Sequence, residues 1–484
     1  MSSRPSIRVL TLGCSKNTVD TEHLLYKLGD AFEILPSDSP LKVDYQLINT
    51  CGFIGDAKQE SIDAILSAAR LKGEGLVGKL VVFGCLSQRY SDSLPGLIPE
   101  VDAWFGAREL ESLLRYLSVD PSATPDTGRV RTEGGPGTAF LKISEGCDRS
   151  CAYCAIPLIR GPHRSVPQAK LVEEAWQLAS KGVKELVIIA QDTTWYGLDT
   201  EGKRTLAPLL RALSAVEGIE WLRLHYSYPA SFPEDVLEEM AFNPKLCPYL
   251  DIPLQHVSDK VLTAMRRHTT SAQTRDIVRR LRETVPGLVL RTTMMVGHPG
   301  EGEAEFEELL DFVREARFER LGAFAYSEEE GTWGAAHNAD SVPEELKQER
   351  LARLMELQRD ISFAFNSSRV GSLERVLVDA VLPAPAAPQA GSSPSLPGNG
   401  HSGDSQPSTY AQAVEGPERS LSLSKGLVGP SVAICRSRYE SPDVDGEIIA
   451  RIPEGVDASS LVGKFATVRI TGAEDYDLTA DFVL

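Results

Sequence analysis

The stretch AFLKISEGCDRSCAYC, Ala139 to Cys154, runs an apolar strand directly into Cys147, Cys151 and Cys154 at C-x3-C-x2-C spacing. A strand ending in such a loop reads as the start of a β/α unit, a fold in which chemistry gathers at the C-terminal strand ends. Five more apolar runs follow: ELVIIA from Glu185, WLRLHYS from Trp221, YLDIPL from Tyr249, LVLRTTMMV from Leu288 and LGAFAYS from Leu321. Helical patterns lie between them. Ser271 to Val285 puts Ile277, Leu281 and Val285 on one face, with Ser271 as its expected N-cap, and Glu303 to Arg314 carries Phe306, Leu309, Leu310 and Val313. Six units in a row predict a barrel or part of one, followed by a long amphipathic helix from Glu344.

Three cysteines this close suit a metal or cluster better than packing. Zinc would want a fourth ligand, and the nearest candidate is His163, beyond Pro157 and Gly161. A four-iron cluster on three thiolates instead leaves one iron without a protein ligand, and an open metal position is where a substrate or cofactor binds.

Upstream, three short apolar runs each end at a cysteine: IRVLTLG at Cys14, YQLINT at Cys51 and KLVVFG at Cys85. Helical stretches, Asp20–Leu28 and DAKQESIDAILSAARLKG from Asp56, separate them. Alternation of this kind predicts a parallel sheet covered on both faces. Its C-terminal strand ends share one edge, so the three thiols converge on a shared ligand there. Gly13 and Gly84 would let backbone approach that ligand closely. Cys247 and Cys435 belong to neither set and read as packing residues.

The remaining organisation follows from composition. Residues 1–118 form the first domain, 119–137 a Pro/Gly-rich linker, 138–368 the β/α domain and 369–484 a small β-domain. Within the last, about 384–426 is rich in Pro, Gly, Ser and Ala; it cannot bury enough to offset its ordering entropy and reads as a disordered insertion. The formal net charge of −18 argues against a large non-specific nucleic-acid surface. No run approaches the ~20 apolar residues of a membrane helix. The opening residues carry no signal pattern, so a cytoplasmic protein without a membrane partner is expected.

The C-x3-C-x2-C motif resembles that of the radical S-adenosylmethionine enzymes. The resemblance implies that S-adenosyl-L-methionine chelates the open iron and that its reductive cleavage yields a 5′-deoxyadenosyl radical. Both cysteine sets, the barrel and the terminal β-domain together resemble the methylthiotransferases of that superfamily, over nearly the whole chain apart from the insertion. The implied fold is α/β: an N-terminal parallel α/β sheet domain, a central partial (β/α)6 TIM-like barrel and a small C-terminal TRAM-like β-barrel. The implied cofactors are two [4Fe-4S] clusters, a radical-forming one on Cys147, Cys151 and Cys154 and an auxiliary one on Cys14, Cys51 and Cys85.

Other residues enter through the same resemblance. Tyr153 is similar to the aromatic that packs near the adenine. Gln191 and Asp192, ending LVIIAQD, are candidates for cofactor contacts, Asp192 equally for a helix N-cap. Gly297 and Gly300 of VGHPGE would admit the cofactor or simply form a turn. The segments TLGCSKNTVDTE, AQDTTWYG and RSRYESPDVDG resemble the RimO-type branch, which modifies an aspartate of small-subunit ribosomal protein S-twelve, more than the MiaB-type tRNA branch. The implied partners are that basic protein, an electron donor and a sulfur donor; tRNA enters only under the alternative. Residues 369–484 carry 9 Lys and Arg against 15 Asp and Glu, a net of −6, which suits a basic protein better than tRNA. Departures are His298 at an aromatic position, Cys435 and the insertion.

Overall fold

The computed structural model describes residues 4–132, 135–383 and 431–483. The insertion expected at about 384–426 lies outside the described residues. Five parallel strands open the chain: β1 (Ser6–Thr11), β2 (Glu33–Leu35), β3 (Val43–Thr50), β4 (Val77–Gly84) and β5 (Ala103–Gly106), in the order β2-β1-β3-β4-β5. Successive side chains alternate faces, so Leu47 and Val81 pack under the helix Ser15–Leu28 while Ile48 and Val82 pack under the helix Gly55–Gly73. The edge strands β2 and β5 carried no sequence signal, being only three and four residues long. The first helix starts at Ser15 rather than Asp20 because Cys14, extended at φ −113°, takes the N-cap position itself.

The second sheet runs β6 (Thr138–Lys142), β9 (Glu185–Ile189), β10 (Trp221–Leu224), β11 (Leu246–Asp251), β12 (Val289–Val296) and β13 (Arg320–Ala325), all parallel and in chain order. β6 and β13 do not pair, so six strands make an open barrel. Two-residue strands β7 (Ser144–Glu145) and β8 (Arg164–Ser165) pair antiparallel and pinch the cysteine loop between them. The helix Ser271–Thr284 buries Ile277, Val278 and Leu281, as its periodicity demands. Its cap, however, is Thr270 and not Ser271: the Thr270 hydroxyl accepts from the Gln273 amide, and the Gln273 side chain returns to the Thr270 N–H. The helix Glu344–Ser368 then covers β13.

The chain ends in a closed barrel of β14 (Leu373–Pro383), β15 (Ser431–Arg436), β16 (Ile448–Arg451), β17 (Phe465–Ala473) and β18 (Leu478–Phe482), ordered β14-β15-β16-β18-β17. Cys435 sits in its apolar core, and Cys247 is fully buried on β11 beside Trp221 and Tyr249. The segment after β15 docks this barrel onto the larger one through buried charges. Glu440 accepts from Arg320 at 3.2 Å and from Arg369. Arg436 pairs with Glu185 at 2.9 Å and Asp379 at 2.7 Å, and Asp445 accepts from the Tyr249 hydroxyl at 2.7 Å. Several acids of the −6 domain are therefore spent inside the chain; Glu454, Asp457, Glu474 and Asp475 are among those exposed in the described residues.

Burial alone would raise the Glu440 carboxyl, but Arg369 and Arg320 outweigh it and hold the pKa down at about 2, against an ordinary 4.5. Glu185 is likewise held at about 2 by Arg436 and Arg223 against its own burial. Depressed carboxylates stabilise the fold above their unfolded pKa and lose that contribution as pH falls. Docking of the C-terminal barrel should thus be intact above pH 4.5 and weaken progressively toward pH 2. Glu440→Gln, which leaves Arg320 without its carboxylate, should cost about 3 kcal/mol at neutral pH in urea unfolding and flatten that acid limb.

Candidate active site

The ends of β1, β3 and β4 bring Cys14, Cys51 and Cys85 to one edge of the first sheet. Gly13 adopts φ +96°, and a Cβ there would stand 2.7 Å from the Cys51 Cβ, so only glycine lets the Cys14 turn lie against Cys51. What crowds Gly13 and Gly84 is the neighbouring strand end, Cys51 and Thr50, rather than open space for a ligand. The Ser61 hydroxyl clamps Cys51 at 3.0 Å on both its N–H and its carbonyl. Asn17 ties the strand ends together, donating to Leu12 O at 2.7 Å and Thr50 O at 3.2 Å.

The second set lies on the loop that leaves β6. Gly146, at φ +77°, has the Pro162 carbonyl where a Cβ would go, and the Cys147 amide donates to Gly161 O at 3.0 Å. That closure holds the loop as a compact turn. Burial raises the thiols, Cys51 to about 12, Cys85 to about 11 and Cys147 to about 12, and Cys154 also upward. Neighbouring thiols of the same set add to the rise: Cys14 acts on Cys51 and Cys85, and Cys151 on Cys147 and Cys154. Among the described residues no three ligand-type side chains close to single-ion spacing. A cluster takes each cysteine on a different iron and holds them further apart. His163 Nε2 lies 3.1 Å from Ser165 Oγ and 3.7 Å from Asp199, while its buried Nδ1 has no hydrogen-bond partner among the described residues.

The first set lies against the segment that follows the second: Cys85 packs against Ala155 and Ile159, one and five residues beyond Cys154. Arg160, at the end of the short helix Ile156–Arg160, crosses from the barrel into the first domain. Its Nε lies 3.3 Å from Cys85 Sγ, and its Nη atoms reach Asn17 Oδ1 at 2.5 Å, Asp20 at 2.7 Å and Glu145 at 3.1 Å. Lys142 binds the same two carboxylates. Elsewhere Glu329 accepts from Lys58 at 2.9 Å and Arg89 at 2.7 Å, and Arg129 joins Glu22 to Glu174. A cleft of about 640 Å³ opens at this domain junction, lined by Arg108, Lys142 and Arg160.

At the barrel mouth Tyr153 packs with Val261, Met265 and Tyr326. Gln191 donates to Glu145 at 2.8 Å, and its buried Oε1 has no hydrogen-bond partner among the described residues. Asp192 takes the capping option: it accepts from the Thr194 amide at 2.9 Å and hydroxyl at 2.6 Å, and its other oxygen accepts from Arg149 at 2.8 Å. Gly297 and Gly300 form a turn at positive φ, with Lys347 crowding the first and Ala264 at ordinary contact distance from the second. His298 is wholly buried, edge-on to Tyr326, with Nδ1 2.9 Å from Pro299 O; burial holds its pKa at about 4.

Three arginines and a tyrosine went unnoticed in the sequence. Arg149 lies between the rings of Trp195 and Tyr228, about 4 Å from each. Arg267 donates to Cys151 Sγ at 3.5 Å and to Pro253 O at 2.5 Å, under the Tyr228 ring. Arg149 sits inside the cysteine motif and Arg160 six residues beyond it, so adjacency was the available signal; Arg267 and Tyr228 have none, being distant in sequence.

Profiles of known families match three stretches of the chain. The radical SAM superfamily matches residues 141–313, the Uncharacterized protein family UPF0004 residues 6–106 and the TRAM domain residues 426–483. The chain is 43% identical over 481 residues to the ribosomal protein uS12 methylthiotransferase RimO of Porphyromonas gingivalis, covering 99% of each. It is 44% identical to the protein of the same name from Flavobacterium johnsoniae, covering 98% and 97%. In fold it is similar to the radical S-adenosylmethionine methyltransferase TsrM of Kitasatospora setae, with a TM-score of 0.51, 16% identity and 66% of this chain covered against 75% of that one.

The junction itself is testable. Asp20→Asn removes one of two carboxylates facing Lys142 and Arg160 in a partly exposed site, so a loss of about 1–2 kcal/mol is expected. Limited proteolysis between residues 119 and 132 should accelerate relative to the unsubstituted chain.

Proposed function

The chain belongs to the RimO family of radical-SAM methylthiotransferases, and on that premise we propose that it inserts a methylthio group at the β-carbon of an aspartate of ribosomal protein uS12. Membership brings a [4Fe-4S] cluster and S-adenosyl-L-methionine. In this reading Cys147, Cys151 and Cys154 hold that cluster, and Cys14, Cys51 and Cys85 hold a second. The observation that supports the second site is the gathering of Cys14, Cys51 and Cys85 at the ends of three neighbouring parallel strands, with Cys85 beside Arg160 and the residues that follow Cys154.

When bound, the cofactors supply the one-electron chemistry that acid–base groups cannot offer at an unactivated C–H bond. The residues of this chain do the rest. Three thiolates leave a fourth ligand position to S-adenosyl-L-methionine. Tyr153 gives the adenine an apolar wall, and the free Gln191 Oε1 offers an acceptor. Arg149, held by Asp192 and two aromatic rings, fixes the cysteine loop in place. The surface acids of the C-terminal barrel remain to meet a basic protein. A sulfur donor and an electron donor complete the reaction, which we place in the cytoplasm with the ribosome; among the described residues no helix is long and apolar enough to cross a membrane.

Two measurements test the reading. Mass spectrometry of ribosomal proteins from cells with and without the gene should show one methylthio group on a single uS12 aspartate; methylthioadenosine in tRNA with unmodified uS12 would sink it. Separately, Cys51→Ala should lower reconstituted iron from about eight to about four per chain while 5′-deoxyadenosine formation persists. Cys151→Ala should lose both about four irons and that product.

A further inference from the structure

Arg160 is an unusual neighbour for a thiol. Its side chain is 2% exposed, it arises from the barrel, and its Nε–H reaches Cys85 of the other domain at 3.3 Å. No carboxylate stands between them; Asp20 and Glu145 hold the Nη1 corner instead. The local balance is two cations, Arg160 and Lys142, against two anions, Asp20 and Glu145. Lys142 binds the carboxylates, and its interactions do not include Cys85.

We propose that Arg160 is the positioning residue of the auxiliary cluster, setting its reduction potential through the Nε–H···Sγ contact with Cys85 and registering it against the radical-forming loop. This rests on the assignment of Cys14, Cys51 and Cys85 to a cluster. The physical ground is that hydrogen bonds to the sulfurs and the net charge nearby set the potential of an iron–sulfur cluster. A reduced cluster carries one more negative charge, so a donor aimed at a ligand sulfur favours the reduced form. Removing Arg160 also leaves the two carboxylates with Lys142 alone, one negative charge in excess. Both changes act in the same direction.

The test uses the full chain carrying Cys147→Ala, Cys151→Ala and Cys154→Ala, so that only the auxiliary cluster is present. Iron content comes first: a background that assembles no cluster overturns the ligand assignment, and this proposal with it. With the cluster present, its potential is read by electron paramagnetic resonance during stepwise chemical reduction. Arg160→Gln should lower the potential, and Lys142→Gln, which makes the same charge change without touching sulfur, should lower it less. Arg160→Lys, keeping the charge but losing the planar donor, should fall between Arg160→Gln and the parent. An unchanged potential in Arg160→Gln, or equal shifts in Arg160→Gln and Lys142→Gln, overturns the proposal. Loss of the cluster from both Arg160 variants would make the residue a structural strut and overturn it equally.

Discussion

A guanidinium that is almost wholly removed from water must be surrounded by acceptors, and the surroundings of Arg160 hold the molecule together. Asn17 comes from the first turn of the first helix, Asp20 from its second, Glu145 from the strand before the cysteine loop, and Cys85 from the end of β4. Three chain segments from two domains therefore share one cation. Burying it without them would cost several kcal/mol. The first domain consequently has one low-energy seat on the barrel, and that seat puts Cys85 against the residues that follow Cys154.

The same device recurs wherever two bodies of this chain meet. Arg129 joins Glu22 to Glu174, Glu329 joins Lys58 to Arg89, Glu440 joins Arg320 to Arg369, and Arg436 joins Glu185 to Asp379. Apolar surface would bind as strongly, but it tolerates sliding, because burial is non-directional. Paired charges are intolerant of misregistry: a shifted partner leaves an ion buried and alone. Where one buried cation must meet Cys85, Asn17, Asp20 and Glu145 together, register matters more than raw interface strength.

The legible part of this chain was the part with a period or a spacing. Six apolar strands separated by helical stretches gave the barrel, and three cysteines at the ends of three successive strands gave a shared edge. Strands β2 and β5 escaped because three or four residues at a sheet edge carry no alternation. The cap at Thr270 escaped because two adjacent hydroxyl residues, Thr270 and Ser271, offer the same local signal, and only Gln273 three positions on decides between them. Asp192 could be read as ligand or cap, and backbone geometry chose the cap. The charge of the C-terminal domain was counted correctly, but a sum cannot say which acids face inward.

Arginines 149, 160 and 267 mark the deeper boundary of that legibility. Their work depends on distances across the fold, between residues 75 apart for Arg160 and Cys85 and 116 apart for Arg267 and Cys151. A cysteine announces its role by chemistry and spacing, because few residue types bind iron. An arginine does not, since most lie at the surface and pair weakly. What distinguishes these three is burial together with a thiol or an aromatic face as the partner. Each triad ends up with one guanidinium donating to one of its sulfurs, although the two arginines come from unrelated parts of the barrel. Arg160 shares its charge with two carboxylates and Lys142, whereas Arg267 leans on carbonyl oxygen and the Tyr228 ring. Similar sulfur contacts thus sit in unequal electrostatic settings, and nearby net charge separates the properties of thiolate sites that ligand type alone would leave together.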